Sequence, residues 1–173
     1  MEGERNVAKE DRKQQIIEAA ISVFARQGYY KTTTALIAEA VGVTQPYVFH
    51  FFKTKEALFI AVLQQSVRRI ASVFEEVEAP PEQLMDRMGE AFTELLQSHR
   101  DETMLSMQSF TVPEPAIRQQ SRDGFAFIHQ VVQDKFEKAG LPQSATAAAS
   151  FIGLGLATIL AEVLELRELM PDC

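Results

Sequence analysis

Thr44, Gln45, Tyr47, His50 and Lys55 lie within one short stretch of the chain, and together they carry the hydrogen-bonding groups that nucleic acid can use. A glutamine amide pairs with an adenine edge through two hydrogen bonds, tyrosine and histidine reach bases or phosphates, and a lysine ammonium suits a phosphate oxygen. Taken singly, each is an ordinary polar residue on a solvated helix; their shared spacing argues for more. Catalytic readings have less behind them. The sequence holds no glycine loop that would cradle phosphate, no HExxH pair, no cysteine placed as a nucleophile and no paired carboxylates that stand out from helix surface, so no enzyme is expected. His99 and His129 are isolated, without ligand spacing around them, and neither a metal nor a cofactor is expected.

The elements that must position these side chains are short and well punctuated. Ile17, Ala20, Ile21 and Phe24 recur at helical spacing, which predicts an amphipathic helix over about residues 10–27, closed by Gly28. Thr33 or Thr34 can cap a second helix that runs to Val41, with Ile37, Ala38 and Val41 inward and Gly42 at its end. A third helix runs from Pro46 to about Phe52. Proline suits the first helical position and disfavours helical geometry in the residue before it, which makes Gln45 the expected N-cap and Thr44 the fallback. Val48 and Phe51 or Phe52 must pack against the second helix, so Thr44, Gln45, Tyr47 and His50 face outward. Thr54 caps a fourth helix, whose free N–H groups join Lys55 in suiting a phosphate. This is the layout of a helix-turn-helix that sets its second helix into a DNA major groove.

Further along, apolar spacing predicts helices over about residues 84–96, 101–110, 117–136 and 143–169, the third of these kinked near Gly124. No strand and no repeat is apparent. The expected fold is all-α: a flexible tail (1–9), a three-helix helix-turn-helix DNA-binding domain (10–54) and a helical ligand-binding and dimerisation domain (55–173) that starts with a connecting helix (55–77). The net charge of −7 divides unevenly. Up to Lys55 there are eight Lys and Arg against six Asp and Glu (8 − 6 = +2), leaving 9 − 18 = −9 for the remainder. The asymmetry fits a first part that meets a polyanion and a second that does not. The single cysteine, Cys173, excludes an internal disulfide framework and a cysteine zinc site, and no secretory signal opens the chain; a reducing, cytoplasmic setting is expected.

In the second part, Met85, Met88, Met104 and Met107 cluster with Phe92 and Phe110. Flexible thioethers and aromatic rings make adaptable apolar cavities, so these six are candidates for a small hydrophobic ligand, although a plain core would use the same residues. From Ala139 to Ala161 no residue is charged. Pro142 and the interspersed Ser and Thr argue against a membrane span, and Ala149, Gly153 and Ala157 at four-residue spacing let helices approach closely. A helix buried against a partner subunit is the expectation, with no membrane partner.

Gly28-Tyr29, Thr32-Thr33, Ile37-Ala38, Gly42-Val43-Thr44, the aromatic run from Tyr47 to Phe52, and Lys55-Glu56 with Leu58 resemble the N-terminal domain of the TetR family of transcriptional regulators, over about residues 12–63. The resemblance implies a homodimer, a double-stranded DNA operator of pseudo-palindromic sequence, and repression relieved by a small molecule. It places phosphate contacts on Thr33 and Lys55 and recognition-helix contacts on Thr44, Gln45, Tyr47 and His50. It places the dimer-forming helices at the C-terminal end, where Phe125, Ile128 and Val132 join Ala149, Gly153 and Ala157 as interface candidates. The chain departs from the pattern at Leu36, where an acidic residue is common, at Pro46, where glycine is frequent, and at Phe49, where tyrosine is frequent. Those departures keep a rival reading open: a protein of this fold that has lost operator binding and acts through a protein partner.

Overall fold

The computed structural model describes residues 2–169, and Cys173 lies outside them. Eight α-helices are present among the described residues, and no strand: α1 (Glu2–Lys31), α2 (Thr34–Val41), α3 (Gln45–Phe51), α4 (Lys55–Glu76), α5 (Leu84–Ser98), α6 (Arg100–Gln108), α7 (Pro115–Lys138) and α8 (Ser144–Leu164). Short 3-10 turns fill Pro81–Gln83, Ser109–Thr111 and Arg167–Leu169.

Local chemistry sets most of these bounds. Thr33, in extended geometry, caps α2 by accepting from the Leu36 N–H, and Thr54 caps α4 by accepting from the Ala57 N–H. Gly42 ends α2 with φ at 75°, a left-handed conformation that glycine adopts without the steric cost a Cβ would bring. Its N–H closes onto the carbonyls of Ala38 and Glu39, and this tight stop is what lets α3 turn back across α2.

Four expectations need correction. Residues 2–9 continue α1 as helix instead of forming a tail, in keeping with the helix-forming Glu, Lys, Arg and Ala of that stretch; the break in α1 comes at Gly28, with φ 74° and ψ 169°. Thr44, not Gln45, caps α3, so Gln45 and Pro46 form its first turn. Glutamine is a poor capping residue, and the disfavour proline imposes on its predecessor is overridden here. The kink near Gly124 is absent from α7, which runs as one helix. The last helix stops at Leu164, where Glu165 turns left-handed at φ 53°.

Two apolar clusters form the core. The first gathers Ile16, Phe24, Ile37, Val48, Leu58 and Phe59, and reaches forward in the sequence for Leu105, Val112 and Ile117. Phe24 and Phe59 meet edge to face at 4.8 Å between centroids, an arrangement that contributes about 0.5–1.5 kcal/mol beyond burial alone. The second cluster gathers Ile70, Phe74, Met88, Phe92, Val132, Phe136 and Phe151. Helix α4 runs through both, supplying Leu58 to Leu63 to one and Ile70 to Phe74 to the other. Packing therefore continues across position 55, and α6 and the start of α7 help to seat the first three helices. Polar links cross the same seam: Gln14 Nε2 donates to Gln65 Oε1 at 2.9 Å, Gln108 Nε2 to the Ala25 carbonyl at 3.1 Å, and the Tyr30 hydroxyl to Glu114 Oε2 at 3.0 Å.

Candidate nucleic-acid interface and apolar cavity

Helix α3 is anchored by Val48, which is fully buried, and by Phe52 just beyond its end. One turn apart on the inner face, these two leave Thr44, Gln45, Tyr47, Phe49 and His50 exposed. Tyr47 and His50 each meet Phe51 edge-on, at 5.4 and 5.2 Å, so one ring steadies two polar aromatic side chains on the outer surface. Thr44 makes no capping bond with its side chain, which leaves its hydroxyl free for another partner. Gln45 is engaged: its Nε2 donates to Thr34 Oγ1 at 2.7 Å. That bond uses one of its two amide N–H donors, and the other N–H together with the carbonyl oxygen remains for a two-bond contact with adenine.

Thr33 is exposed beside that pair, and because its oxygen accepts from Leu36, its hydroxyl proton remains available to a phosphate. Lys55 sits apart from the α3 group and is half-buried. Its ammonium donates to the Tyr29 carbonyl at 2.8 Å and the Tyr30 carbonyl at 3.4 Å, over the Tyr29 ring at 4.4 Å. Two of its three donors hold the end of α1, leaving one for a phosphate. Burial first, and Glu114 and Glu56 after it, hold the Tyr29 hydroxyl above its ordinary pKa of 10.0, so it stays protonated. Exposed Tyr30 was not anticipated from the sequence, and Phe49, noted there only as a departure from the family pattern, is exposed as well. That exposure was legible: once 48 and 52 are inward, position 49 must lie outside.

The methionine candidates divide. A cavity of about 810 Å3 opens between α4, α5, α6, α7 and α8. Met85, Phe92 and Met107 line it; Met88, Met104 and Phe110 do not. Met88 is fully buried in the second cluster and Met104 packs against that cluster. Phe110 is exposed and packs on Phe125 at 4.9 Å, beside a smaller cavity of about 260 Å3. The sequence reading missed Ile70, Phe74, Phe151 and Ile159, which wall the larger cavity. Phe151, the one aromatic residue in the uncharged stretch, was the signal for them.

The interface candidates on α7 are also displaced. Ile128 and Val132 are buried within their own chain, and Phe125 and Ile128 line the cavity. The strongest apolar spacing on a helix is spent on the chain's own core before any partner, and the outward apolar residue of α7 is Phe127. On α8, Ala149 and Gly153 are exposed and Ala157 half-buried, and the same strip continues through exposed Leu160 and Leu164.

Residues 16–62 match the model of the family described as bacterial regulatory proteins, tetR family. These residues carry the N-terminal domain of the TetR family. The same region is 37% identical, over 62 residues, to the HTH-type transcriptional repressor Rv1474c of Mycobacterium tuberculosis; the match covers 36% of this chain and 33% of that repressor. The chain thus matches about a third of this curated relative's length. Solved structures extend the fold likeness along nearly the whole chain. PfmR of Thermus thermophilus, a TetR family transcriptional regulator, superposes with a TM-score of 0.67 at 19% identity, over 83% of this chain and 84% of that one. FadR of Bacillus subtilis, solved in complex with stearoyl-CoA, gives 0.68 at 18% identity, over 89% of each chain. Among the described residues no group of three or more His, Cys, Asp or Glu is set to hold a metal ion.

Proposed function

We propose that this protein is a DNA-binding transcriptional regulator: a homodimer that represses from a pseudo-palindromic operator and is released by a small apolar ligand. The observation that carries the reading is α3. It is buried on one side by Val48, bears Thr44, Gln45, Tyr47 and His50 on the other, and lies inside the segment that matches the TetR family. Two such helices, one DNA turn or ~34 Å apart, would enter successive major grooves. Thr33 and Lys55 would take the flanking phosphates. The cavity falls within the size range of small-molecule sites, about 300–1,000 Å3, and the stearoyl-CoA complex of the structurally similar FadR supports a ligand role for a cavity in this fold.

The homodimer rests on α8. Both α4 and α8 are long and apolar enough to cross a membrane by length and composition, yet α4 threads both cores, and a second subunit suits the exposed apolar strip of α8. A cytoplasmic location follows from DNA as the partner. The test is fluorescence anisotropy on the DNA upstream of the protein's own gene, at low and moderate salt. Sequence-selective binding is expected, and Tyr47→Ala should weaken it about tenfold or more with little change in melting temperature, because the Tyr47 side chain is exposed. Absence of any selective binding would sink the proposal and leave the partner-protein reading standing.

A further inference from the structure

Given the proposed ligand-responsive function, on which this inference rests, the cavity should also show what charge its ligand carries. Its walls are apolar and strongly aromatic, with Phe74, Phe92, Phe125 and Phe151 among them; Phe74 packs on Phe92 at 6.0 Å and on Phe151 at 5.3 Å. Every charged residue on its lining is acidic: Asp86, Glu90 and Glu94, one turn apart along α5. No Lys, Arg, His, Asn, Gln, Tyr or Trp lines it. The lining hydroxyls add no free donor. Thr93 donates to the Gly89 carbonyl, Thr103 to His99, Ser106 to Glu102 and Thr158 to Leu154, and each hydroxyl therefore turns only acceptor lone pairs outward. Helical N–H groups beyond the first turn of α5 are consumed in the same way, and that first turn carries the Asp86 carboxylate. The lining thus has acceptors, negative charge and π faces, and offers no side-chain donor to an anion.

We infer that the cavity takes a hydrophobic monocation: a compact or aromatic apolar body carrying one positive charge, seated on the Phe faces with the charge towards Asp86 and Glu94. Cation–π attraction on Phe faces and the acidic mouth act in the same direction. Glu90 is already paired with Arg87 at 2.6 Å, whereas the described ion pairs leave Asp86 and Glu94 without a cation. The competing basic feature belongs to the smaller cavity of about 260 Å3, where Arg118 and Arg122 lie beside Phe110 and Phe125. An anionic head group would have to use that notch.

The experiment uses two ions of nearly equal size and shape but opposite charge, tetraphenylphosphonium and tetraphenylborate, titrated calorimetrically into the full chain. The expected result is a preference of about tenfold or more for the phosphonium, falling at least about threefold in Asp86→Asn/Glu94→Gln, since two exposed carboxylates each contribute a few tenths to 1 kcal/mol. Both substitutions are at exposed positions, and an unchanged melting curve shows that the variant is folded. Equal affinity, preference for the borate, or binding of neither ion overturns the inference. So does binding of dodecanoate that the acidic variant leaves intact and Arg118→Ala/Arg122→Ala abolishes. Operator binding by the free protein is measured on the same samples: if it is present while the charge preference is missing, the ligand inference has failed and the DNA-binding function has not.

Discussion

Thr33 combines two duties that a single substitution can separate. Its oxygen caps α2 and its hydroxyl proton is free for a phosphate. Thr33→Ala should cost about 1 kcal/mol of stability in urea unfolding, and operator affinity should fall with it. Thr33→Ser, which keeps the hydroxyl, should restore both; a serine variant that regains stability but not affinity would show that the methyl group matters at the DNA. The positions of Thr33, Tyr47 and His50 were legible in the sequence because they follow from which neighbours must be buried. What was not legible was which side chains satisfy one another. Gln45 spends one amide N–H on Thr34 and Lys55 spends two donors on the end of α1, contacts between residues remote in sequence that no local pattern encodes. Burial of the tertiary structure likewise decided which methionines face the cavity.

At the scale of elements, helix existence was readable throughout, while helix phase against a neighbour was not. Gly124 shows why. A glycine in a helical pattern suggested a kink, yet here it marks a close approach: a Cβ built on it would lie 2.6 Å from Val67 Cγ2 on α4. Gly124→Ala should therefore overpack the α4–α7 contact by about 1–3 kcal/mol, against ~1 kcal/mol gained in helix propensity, for a net loss on thermal unfolding. In a Val67→Ala background the clash is gone and the same change should stabilise. A double-mutant cycle that shows no such reversal of sign would mean the two helices do not meet as described. The same logic explains Ile128 and Val132: periodicity marks an apolar face without saying whether the chain itself or a partner covers it.

For the whole molecule, the exposed apolar strip of α8 carries the expected assembly. Leu160→Glu puts a charge on that strip without touching the cavity lining, and should convert a dimer into a monomer at micromolar concentration in sedimentation experiments, with operator affinity falling as the second half-site contact is lost. A variant that sediments unchanged would place the interface elsewhere. The two-part layout was readable from composition and charge, but the sharing of one helix between two cores was not, since α4 reads as a single amphipathic stretch. That sharing has a metrical consequence. Lys55 and Phe74 stand at opposite ends of the same unbroken helix, separated by about 28 Å along its axis at 1.5 Å per residue. If a guest that widens the cavity at Phe74 tilts this rod by ~10° about that end, Lys55 is carried sideways by about 5 Å, well beyond the few tenths of an ångström over which a hydrogen bond to phosphate survives. On the proposed reading, the length of α4 would set the gain, and a small displacement among the phenylalanines would be delivered at the far end as a loss of register.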